Sequence, residues 1–346
     1  MALPYEPKCL LGNIEDYFTI ESKLGHGSFG TVYRGITREL GKKHIPGIPD
    51  LVAVKDIRIK DMTAFRDFLF EMNILKHSNI PGVIKYYGCF EPDIKMIATG
   101  VSGTGRFKKT EYRPELTKPH GNKAYIVIEL FEGISMEDWI AHPAELEDIK
   151  LAKYPEFIAD IATALHELHK LGIVHRDIKP GNIMISVTDD TVRTALVDFG
   201  ISCFSKTRTA HIGDVIPPEN TRGCNGTSMI GTPGFMPPKY IDMFRDATNT
   251  IHMSFQDMID ADWWAFGQTI YYMYGGVQDN VHEIKAGDYS RIGTYTKPSY
   301  TDSAIAKLLR SFKAIGPDFA VLLVDTLMDP TAKMPSGEDI LRTLGR

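Results

Sequence analysis

Two short stretches of this chain carry residue types that could together perform one reaction. They are the octet HRDIKPGN at 175–182 and the tripeptide DFG at 198–200. Asp177 can accept a proton from an attacking hydroxyl, and Lys179 can steady a transferring phosphate. Asn182 and Asp198 offer the hard oxygen ligands that magnesium prefers. Because a phosphoryl-transfer transition state must be neutralised and its nucleophile aligned, this set predicts a phosphotransferase.

A glycine-rich motif and a lysine–glutamate combination precede the octet. The motif LGHGSFGTV spans residues 24–32, and its glycines allow the backbone to close over phosphates where a Cβ would intrude. A dinucleotide-binding fold would require a helix to open inside the motif, whereas a strand is predicted to follow. Lys55 ends the buried-strand pattern VAVK, and Glu71 lies at the edge of the buried face of the next helix. The two side chains could pair and hold the ammonium against a nucleotide's phosphates.

The hydrophobic pattern predicts the elements that must position these residues. Short β-rich runs at 17–24, 31–35, 51–57, 83–91 and 124–130 predict the five strands of an antiparallel sheet. Apolar residues at helical spacing between 61 and 76 predict one amphipathic helix, and helical patterns dominate from 148 onward. We therefore expect an α+β fold of two lobes after a lead-in over residues 1–16. The smaller lobe, with the sheet and one main helix, covers about 17–130, and the larger, mainly helical lobe covers about 131–346.

The composition limits the classes of protein to which this chain can belong. The 39 basic and 44 acidic residues give a net charge of −5, which counts against a general nucleic-acid-binding or acidic-membrane-binding surface. No apolar stretch approaches the ~18 residues that a membrane span needs. The four cysteines lie far apart without a CxxC pair, so the sequence predicts neither a zinc site nor a disulfide framework. We expect a protein of a reducing compartment, the cytoplasm, with entry into the nucleus left open.

In their order and spacing, the motifs resemble the signature set of eukaryotic-type protein kinases, from about residue 17 to the C-terminus. The resemblance implies ATP and Mg²⁺ as cofactors, Asp177 as the base, and Asn182 and Asp198 as metal ligands. It also implies that Lys55 and Glu71 form the activating ion pair. The nucleotide-binding set that it implies is Leu24, Gly25, Gly27, Ser28, Phe29, Gly30, Val32, Ala53, Lys55, Glu71, the gatekeeper-like Ile128, the backbone of Glu129 and Phe131, and Met184.

Two features resemble serine/threonine kinases rather than tyrosine kinases. They are Lys179 and the stretch GTPGF at 231–235, in which Thr232 would help to position Asp177 and Lys179. The expected acceptors are therefore Ser or Thr hydroxyls of protein substrates. Basophilic kinases carry acidic residues near the positions matching Ser135 and Gly181, and neither residue is acidic here. A strong preference for arginine before the acceptor is not expected.

The resemblance also implies a mode of regulation. Arg176 precedes the base, and kinases with that arginine commonly need an anion on the activation segment, here 198–238. Ser228, with Thr227 beside it, lies where the family's main phosphorylation site usually falls. Phosphate at that position is expected to raise activity.

One departure from the family concerns the end of the activation segment. The usual Ala-Pro-Glu is replaced by PPK at 237–239, and the arginine that pairs with that glutamate is replaced by Lys333. Two lysines cannot form the usual buried bridge, whose loss would cost about 3–5 kcal/mol. Candidates for compensation are Asp242, Asp325 and Asp329.

Two insertions, 37–50 and 92–122, also depart from the minimal pattern and are expected to be surface loops rather than core. The second is locally basic. The plain interpretation is a solvated surface, and the sharper hypothesis is a docking site for an acidic partner.

Two alternatives to a protein kinase stay open at this point. A pseudokinase would be a kinase-shaped scaffold with little catalysis, although its usual mark, loss of the equivalents of Lys55, Asp177 or Asp198, is missing here. A small-molecule kinase of similar shape would generally lack the Lys179 spacing and the GTP stretch at 231–233.

Overall fold

The computed structural model describes residues 9–27, 30–102, 109–117, 122–142, 147–188, 191–205, 224, 231–240, 253–276, 297, 302–311 and 318–346. The chain divides into two compact units. Unit 1 comprises Met1–Asn79 and Ile84–Phe131, and unit 2 comprises Ile80–Val83 and Glu132–Arg346. Within these described ranges, we find no helix with the length and hydrophobicity required to span a lipid bilayer.

Unit 1 is built on a five-stranded antiparallel sheet. Its strands are β1 (Phe18–Gly27), β2 (Gly30–Thr37), β3 (Leu51–Ile59), β4 (Tyr86–Phe90) and β7 (Asn122–Glu129), and its helices are α1 (Ile14–Tyr17), α2 (Glu39–His44) and α3 (Met62–His77). The strands are ordered β1-β2-β3-β7-β4, and all neighbours are antiparallel. The sheet and the helical character of unit 2 confirm the fold class expected from the sequence.

The two faces of this sheet have different roles. In β3, Val52 and Val54 are fully buried and pack in a core cluster with Phe18, Phe90 and Val127. Because side chains alternate along a strand, Ala53 and Lys55 of β3 belong to the opposite face. The sheet therefore uses one face for a hydrophobic core and presents its lysine on the other.

Helix α3 begins and ends at residues whose side chains satisfy its free backbone groups. Asp61 is the N-cap, and its carboxylate accepts a hydrogen bond from Ala64 N at 2.8 Å. At the C-terminus, Ser78 Oγ donates to Ile74 O at 2.6 Å. Phe65, Phe68 and six further residues of α3 are buried, in agreement with the predicted amphipathic helix.

The expectation that both insertions are surface loops is wrong. The first contains α2, and its Ile45 is 6% exposed and belongs to the core cluster that contains Val52 and Val54. Gly41 of α2 lies so close to Tyr17 that a Cβ would approach the Tyr17 carbonyl oxygen to 2.9 Å. The second insertion forms an antiparallel hairpin of β5 (Ile94–Ser102) and β6 (Lys109–Leu116). The glycines and prolines suggested loops, but the tertiary packing of Ile45 and the pairing of β5 with β6 override that local signal.

The expectation of free thiols is also wrong, because the structure pairs all four cysteines. Disulfides join Cys9 to Cys89 and Cys203 to Cys224. Each pair lies within one unit. Sequence spacing gave no sign of either pair because their partners are 80 and 21 residues apart, and only the folded chain brings them together.

Unit 2 is mainly helical. Its helices are α4 (Met136–Ala141), α5 (Glu147–Lys170), α6 (Phe255–Met273), α7 (Ser303–Ser311), α8 (Asp318–Leu322) with a π-helical turn at Leu323–Leu327, and α9 (Gly337–Thr343). Its short strands are β8 (Ile134–Ser135), β9 (Ile173–Val174), β10 (Ile183–Val187), β11 (Val192–Leu196) and β12 (Cys203–Phe204), with 3₁₀ turns at Pro180–Asn182 and Pro233–Phe235. The strands pair as β11-β10-β8 and β12-β9. Long buried helices therefore support short strands that frame the loop at 175–182.

Candidate active site

The strand register of unit 1 gathers part of the predicted nucleotide-binding set. Val32 on β2 is opposite Lys55 on β3, and Ala53 is opposite Ile128 on β7. Because cross-strand partners and alternate residues share a face, these four side chains lie on the same side of the sheet. The sheet register thus explains why residues distant in sequence can meet one ligand.

Lys55 and Glu71 form a buried ion pair. Lys55 Nζ donates a hydrogen bond to Glu71 Oε1 across the gap between β3 and α3. The two residues are only 8% and 4% exposed. A buried charge is stable only when it is paired, so each residue accounts for the presence of the other. This pairing was expected from the helical position of Glu71.

The glycine-rich motif forms the end of the β1–β2 hairpin. Gly27 pairs with Gly30, while Ser28 and Phe29, which the sequence placed in the nucleotide-binding set, lie outside the described residues. Gly30 has φ 153°, and a Cβ there would lie 2.4 Å from the Asp56 carbonyl oxygen. Only glycine fits that approach. Within the same motif, Gly25 pairs with Val32, and Leu24 is 49% exposed.

The remaining adenine-contact candidates lie at the end of β7 and on β10. Glu129 is the last residue of β7, and its N–H donates to Lys85 O at 2.8 Å. This N–H is therefore not the group that a nucleotide would use. Phe131 is the last residue of unit 1 and is buried, whereas Met184 belongs to β10 of unit 2, opposite Ala195.

In unit 2, Asp177, Lys179 and Thr232 form a closed triangle of polar contacts. Thr232 Oγ1 donates to Asp177 Oδ1 at 2.7 Å and accepts from Lys179 Nζ at 2.7 Å. Lys179 Nζ also lies 2.9 Å from Asp177 Oδ2. The structure thus brings together the three residues that the sequence assigned to catalysis, although Thr232 is 55 residues from Asp177.

The triangle also sets the charge state of Asp177. Burial raises the pKa of this carboxyl, but the charge of Lys179 and the hydrogen bonds from Lys179 and Thr232 outweigh burial. The net pKa lies below its ordinary value of 3.8. Asp177 is therefore an ionised acceptor at neutral pH, in a fixed orientation.

Asn182 connects the base to the predicted metal site. Its Nδ2 donates to both the backbone oxygen and Oδ2 of Asp177, each at 2.8 Å. Because the amide nitrogen makes these bonds, Oδ1 is the atom that could bind a cation. The Asn182 backbone oxygen accepts from Val197 N at 3.0 Å, which places Asp198 next to this residue in the structure.

A buried aspartate on α6 holds the catalytic loop. Asp262 is 1% exposed, and its Oδ2 accepts from His175 N at 2.8 Å and from His169 Nε2 at 3.0 Å. Its Oδ1 accepts from Arg176 N at 2.7 Å. His175 in turn lies with its ring 4.7 Å from that of Phe199. These contacts fix the loop immediately before Asp177.

Two contacts of the loop with the segment after DFG could not be found from residue types. Ser202 Oγ donates to His175 O at 3.0 Å, and Arg176 Nη1 donates to Ile201 O at 3.3 Å. Both acceptors are backbone carbonyls, which carry no sequence signal. Gly231 likewise has φ 153°, and a Cβ there would lie 2.9 Å from Arg176 O.

The two lysines that replace the usual buried bridge do not meet. Lys333 is exposed, and Lys239 lies 3.8 Å from Asp257 and 4.7 Å from the centre of the Tyr240 ring. Asp325 and Asp329, which were candidates for compensation, face Lys297 at 3.9 and 2.8 Å. Asp242 lies outside the described residues. Asp257, an N-terminal capping residue of α6, is therefore the partner of Lys239.

A shallow cleft adjoins the catalytic triangle. Its walls come from the catalytic loop, from the segment after Thr232 and from α6, and most of the side chains are apolar. The lining includes Asp177, Thr232, Phe235, Met236, Pro237, Met258 and Ala265. The cleft therefore places an ionised carboxylate at the edge of an apolar surface.

Comparisons with known proteins agree with this geometry. A family model described as protein kinase domain matches residues 18–292, which is more than half of the chain. The chain is 29% identical over 64% of its length to MAP kinase kinase kinase wis4 of Schizosaccharomyces pombe. It is 25% identical over 88% of its length to serine/threonine-protein kinase dst1 of Dictyostelium discoideum. It is 29% identical over 67% to serine/threonine-protein kinase SSK22 of Saccharomyces cerevisiae.

These relatives are much longer than the matched region. The chain spans 13%, 31% and 15% of their respective lengths. The similarity therefore concerns one domain of each relative.

Proposed function

Because this chain belongs to the protein kinase family, we propose that it transfers the γ-phosphate of ATP to Ser or Thr hydroxyls of protein substrates. The observation that carries this proposal is the triangle of Asp177, Lys179 and Thr232. Asp177 orients the acceptor hydroxyl and takes its proton, while Lys179 offsets negative charge on the transferred group. The kinase domain is proposed to run from Tyr17 to the C-terminus.

The donor set beside Asp177 fits magnesium bound together with a nucleotide. Asn182 and Asp198 supply hard oxygen atoms, and the described residues contain no group of three His, Cys, Asp or Glu side chains that could hold a metal ion. Magnesium at phosphotransfer sites is usually held by one or two protein ligands and by the substrate's phosphates. When bound there, Mg²⁺ neutralises the phosphate charge. The chain's own contribution is to keep Asn182 in place through its bonds to Asp177.

On the nucleotide side, Lys55 is the residue that we propose binds phosphate. Glu71 holds its ammonium at the face that also carries Val32, Ala53 and Ile128. The glycines of the β1–β2 hairpin leave backbone N–H groups without an intervening Cβ. These features support ATP as the phosphate donor.

The competing proposal is a pseudokinase scaffold, and one experiment separates the two. Purified protein is incubated with radiolabelled ATP, magnesium and a generic protein substrate, beside the Asp177→Ala variant. Transfer to serine or threonine that is lost in the variant supports catalysis. Equal labelling by both proteins favours the scaffold. So does the absence of labelling by either protein when both bind the nucleotide equally well. Labelling of a small molecule but of no protein supports a small-molecule kinase.

We further propose that phosphate on Ser228 or Thr227 raises activity. Both residues lie outside the described residues, so the proposal depends on Arg176, which precedes the base and reaches toward the segment after DFG through Ile201 O. Turnover of the Ser228→Ala, Thr227→Ala double variant that equals the parent value would reject this mode of regulation.

The hairpin β5–β6 is the proposed docking element for an acidic partner. Its pairing shows that the insertion is a defined strand pair rather than a loop. Deletion of 95–120 is expected to weaken partner binding and to leave phosphorylation of short peptides intact. Unchanged partner binding after the deletion would refute the hypothesis.

A cytoplasmic location stays a prediction, and the two disulfides count against it. Disulfides persist in oxidising compartments and are rare in the cytosol. A decisive observation is the thiol state in cells, trapped by alkylation at the moment of lysis. Four free thiols per chain would support the cytoplasm, and two intact disulfides would exclude it as the main location.

A further inference from the structure

The disulfide between Cys203 and Cys224 lies in a hydrophobic cluster of unit 2. Cys203 is fully buried and Cys224 is 2% exposed. The other buried members of the cluster are Val174, Tyr240, Met253 and Met258. The Cys224 N–H also donates to Phe204 O at 2.9 Å. Cys224 is therefore held to β12 by a covalent bond and by a backbone hydrogen bond.

Strand β12 pairs with the strand that leads into the catalytic loop. Cys203 is opposite Val174 on β9, and Val174 directly precedes His175. Just after β12, the Ser205 N–H donates to Gly172 O at 2.8 Å. The disulfide thus joins the middle of the activation segment to a strand pair that is continuous with the catalytic loop.

Thr232 lies midway between two residues of this cluster. It is eight positions after Cys224 and eight positions before Tyr240. Tyr240 is 2% exposed, and its OH donates to Asp257 O at 3.3 Å. Both ends of the stretch that carries Thr232 are therefore fixed in one cluster, and one end is fixed covalently.

The disulfide shortens the length of chain over which Thr232 must be positioned. A single backbone hydrogen bond contributes less than the ordering of a residue costs, so Cys224 needs the covalent bond to stay in place. Without that bond, the anchor on the N-terminal side is Ser205, 27 positions before Thr232 rather than eight. Because the closure entropy grows as three halves of R ln n, this change corresponds to a roughly sixfold lower population with Thr232 in place.

We propose that Cys203 and Cys224 are positioning residues for phosphotransfer, because their bond supports the stretch that places Thr232 against Asp177 and Lys179. The proposal rests on the proposed function and adds a covalent support to its catalytic triangle. The plainer interpretation is a disulfide that only stabilises the fold. Burial of both sulfurs favours a permanent support over a redox switch, since thiol–disulfide exchange requires access to a sulfur atom.

The experiment compares two variants that each lack one disulfide. Cys203→Ser/Cys224→Ser removes the bond that supports Thr232, and Cys9→Ser/Cys89→Ser is the matched control in unit 1. The control removes the bond with the larger separation, 80 positions against 21, so it is expected to lose at least as much stability. Phosphorylation of a generic protein substrate is measured at a temperature below the thermal unfolding midpoints of both variants.

The expected loss is in kcat and not in the KM for ATP. Removal of the Cys203–Cys224 bond should lower kcat by up to about sixfold, because fewer molecules hold Thr232 in the triangle. The KM for ATP should keep the parent value, because Lys55 and Glu71 belong to unit 1. The control variant should keep the parent kcat. General destabilisation would not produce this difference between the two variants.

A double-mutant cycle tests whether the disulfide acts through Thr232. Thr232→Val removes the hydroxyl that bonds both Asp177 and Lys179. If the disulfide serves to place this hydroxyl, removal of the disulfide from the Thr232→Val enzyme should not lower kcat further. Losses of kcat that multiply in the combined variant would show that the disulfide acts independently, and would overturn the proposal.

The remaining outcomes separate this proposal from the proposed function. A parent kcat in Cys203→Ser/Cys224→Ser overturns the positioning role alone, and so does an equal loss of kcat in both serine variants. A parent protein that phosphorylates no protein substrate overturns the proposed function, and the positioning role with it.

Discussion

The two disulfides allow a stability prediction with magnitudes taken from the structure. A disulfide stabilises mainly by restricting the unfolded chain, and the effect grows with the number of residues between the cysteines. For the separation of 21 between Cys203 and Cys224, the chain-entropy relation gives about 3.3 kcal/mol at 25 °C. For the separation of 80 between Cys9 and Cys89, it gives about 4.5 kcal/mol. Either value is a large part of the roughly 5–15 kcal/mol that holds a typical domain together.

The perturbation is replacement of each pair by serine, which leaves the other pair intact. Cys9→Ser/Cys89→Ser removes a bond within unit 1, and Cys203→Ser/Cys224→Ser removes one within unit 2. Urea denaturation, followed by circular dichroism, measures the free energy of unfolding of each variant and of the parent. We expect the unit 1 variant to lose more than the unit 2 variant. A reductant should destabilise the parent and have no effect on the variant that lacks all four cysteines.

Two results would refute this reasoning. One is a urea denaturation midpoint of the parent protein that does not change when a reductant is added. The other is alkylation of four thiols per chain when the freshly purified, non-reduced protein is unfolded. Either result would mean that the cysteines are adjacent as thiols, and the cytoplasmic prediction would then regain its basis.

Three further predictions concern the site. Lys55→Met or Glu71→Leu alone is expected to cost about 3–5 kcal/mol by removing one partner of a buried ion pair. The double variant Lys55→Met/Glu71→Leu should recover stability but not phosphotransfer, and additive losses in the double-mutant cycle would contradict this. Gly231→Ala should lower kcat, because the new Cβ would clash with the Arg176 carbonyl oxygen. The control Gly275→Ala is also at positive φ but in open space, so it should cost about 1 kcal/mol of stability and leave kcat unchanged. A kcat of Gly231→Ala equal to that of the parent would exclude the clash. Because the pKa of Asp177 is depressed, the base stays charged until the pH falls below 3.8, and kcat/KM should show no acidic limb from it above about pH 5. Thr232→Val removes a bond to the charged form, so the pKa should rise and the limb should move to higher pH; an unshifted profile would show that Thr232 does not act on Asp177.

The chemistry could be predicted from the sequence because its residues lie in contiguous motifs. The residues of the octet at 175–182 are close in sequence, so their spacing in the loop is set by the chain. Glu71 could be predicted because a carboxylate at the edge of a buried helix face needs a cationic partner, and Lys55 is that partner. Thr232 could be assigned only through the family resemblance. It lies 55 residues from Asp177, and no local sequence pattern indicates the hydrogen bond between them.

The remaining features depend on tertiary structure. Gly41 and the neighbouring proline and glycine suggested a loop, yet burial of Ile45 against the sheet decides the structure of that insertion. Cysteine pairing has no local signature, because it depends on where separate elements of the fold meet. Sequence spacing alone therefore favoured free thiols.

The residues that cover the Val52 and Val54 face of the unit 1 sheet have a practical consequence. The family match at 18–292 leaves out three residues that belong to unit 1. Ile14 and Tyr17 pack in the core cluster, and Cys9 is bonded to Cys89 on β4. A fragment trimmed to that match for crystallisation or inhibitor screening would expose part of the hydrophobic sheet surface and would leave Cys89 without its disulfide partner. Poor behaviour of such a fragment would result from its boundaries, and an expressed fragment should retain residues 9–17.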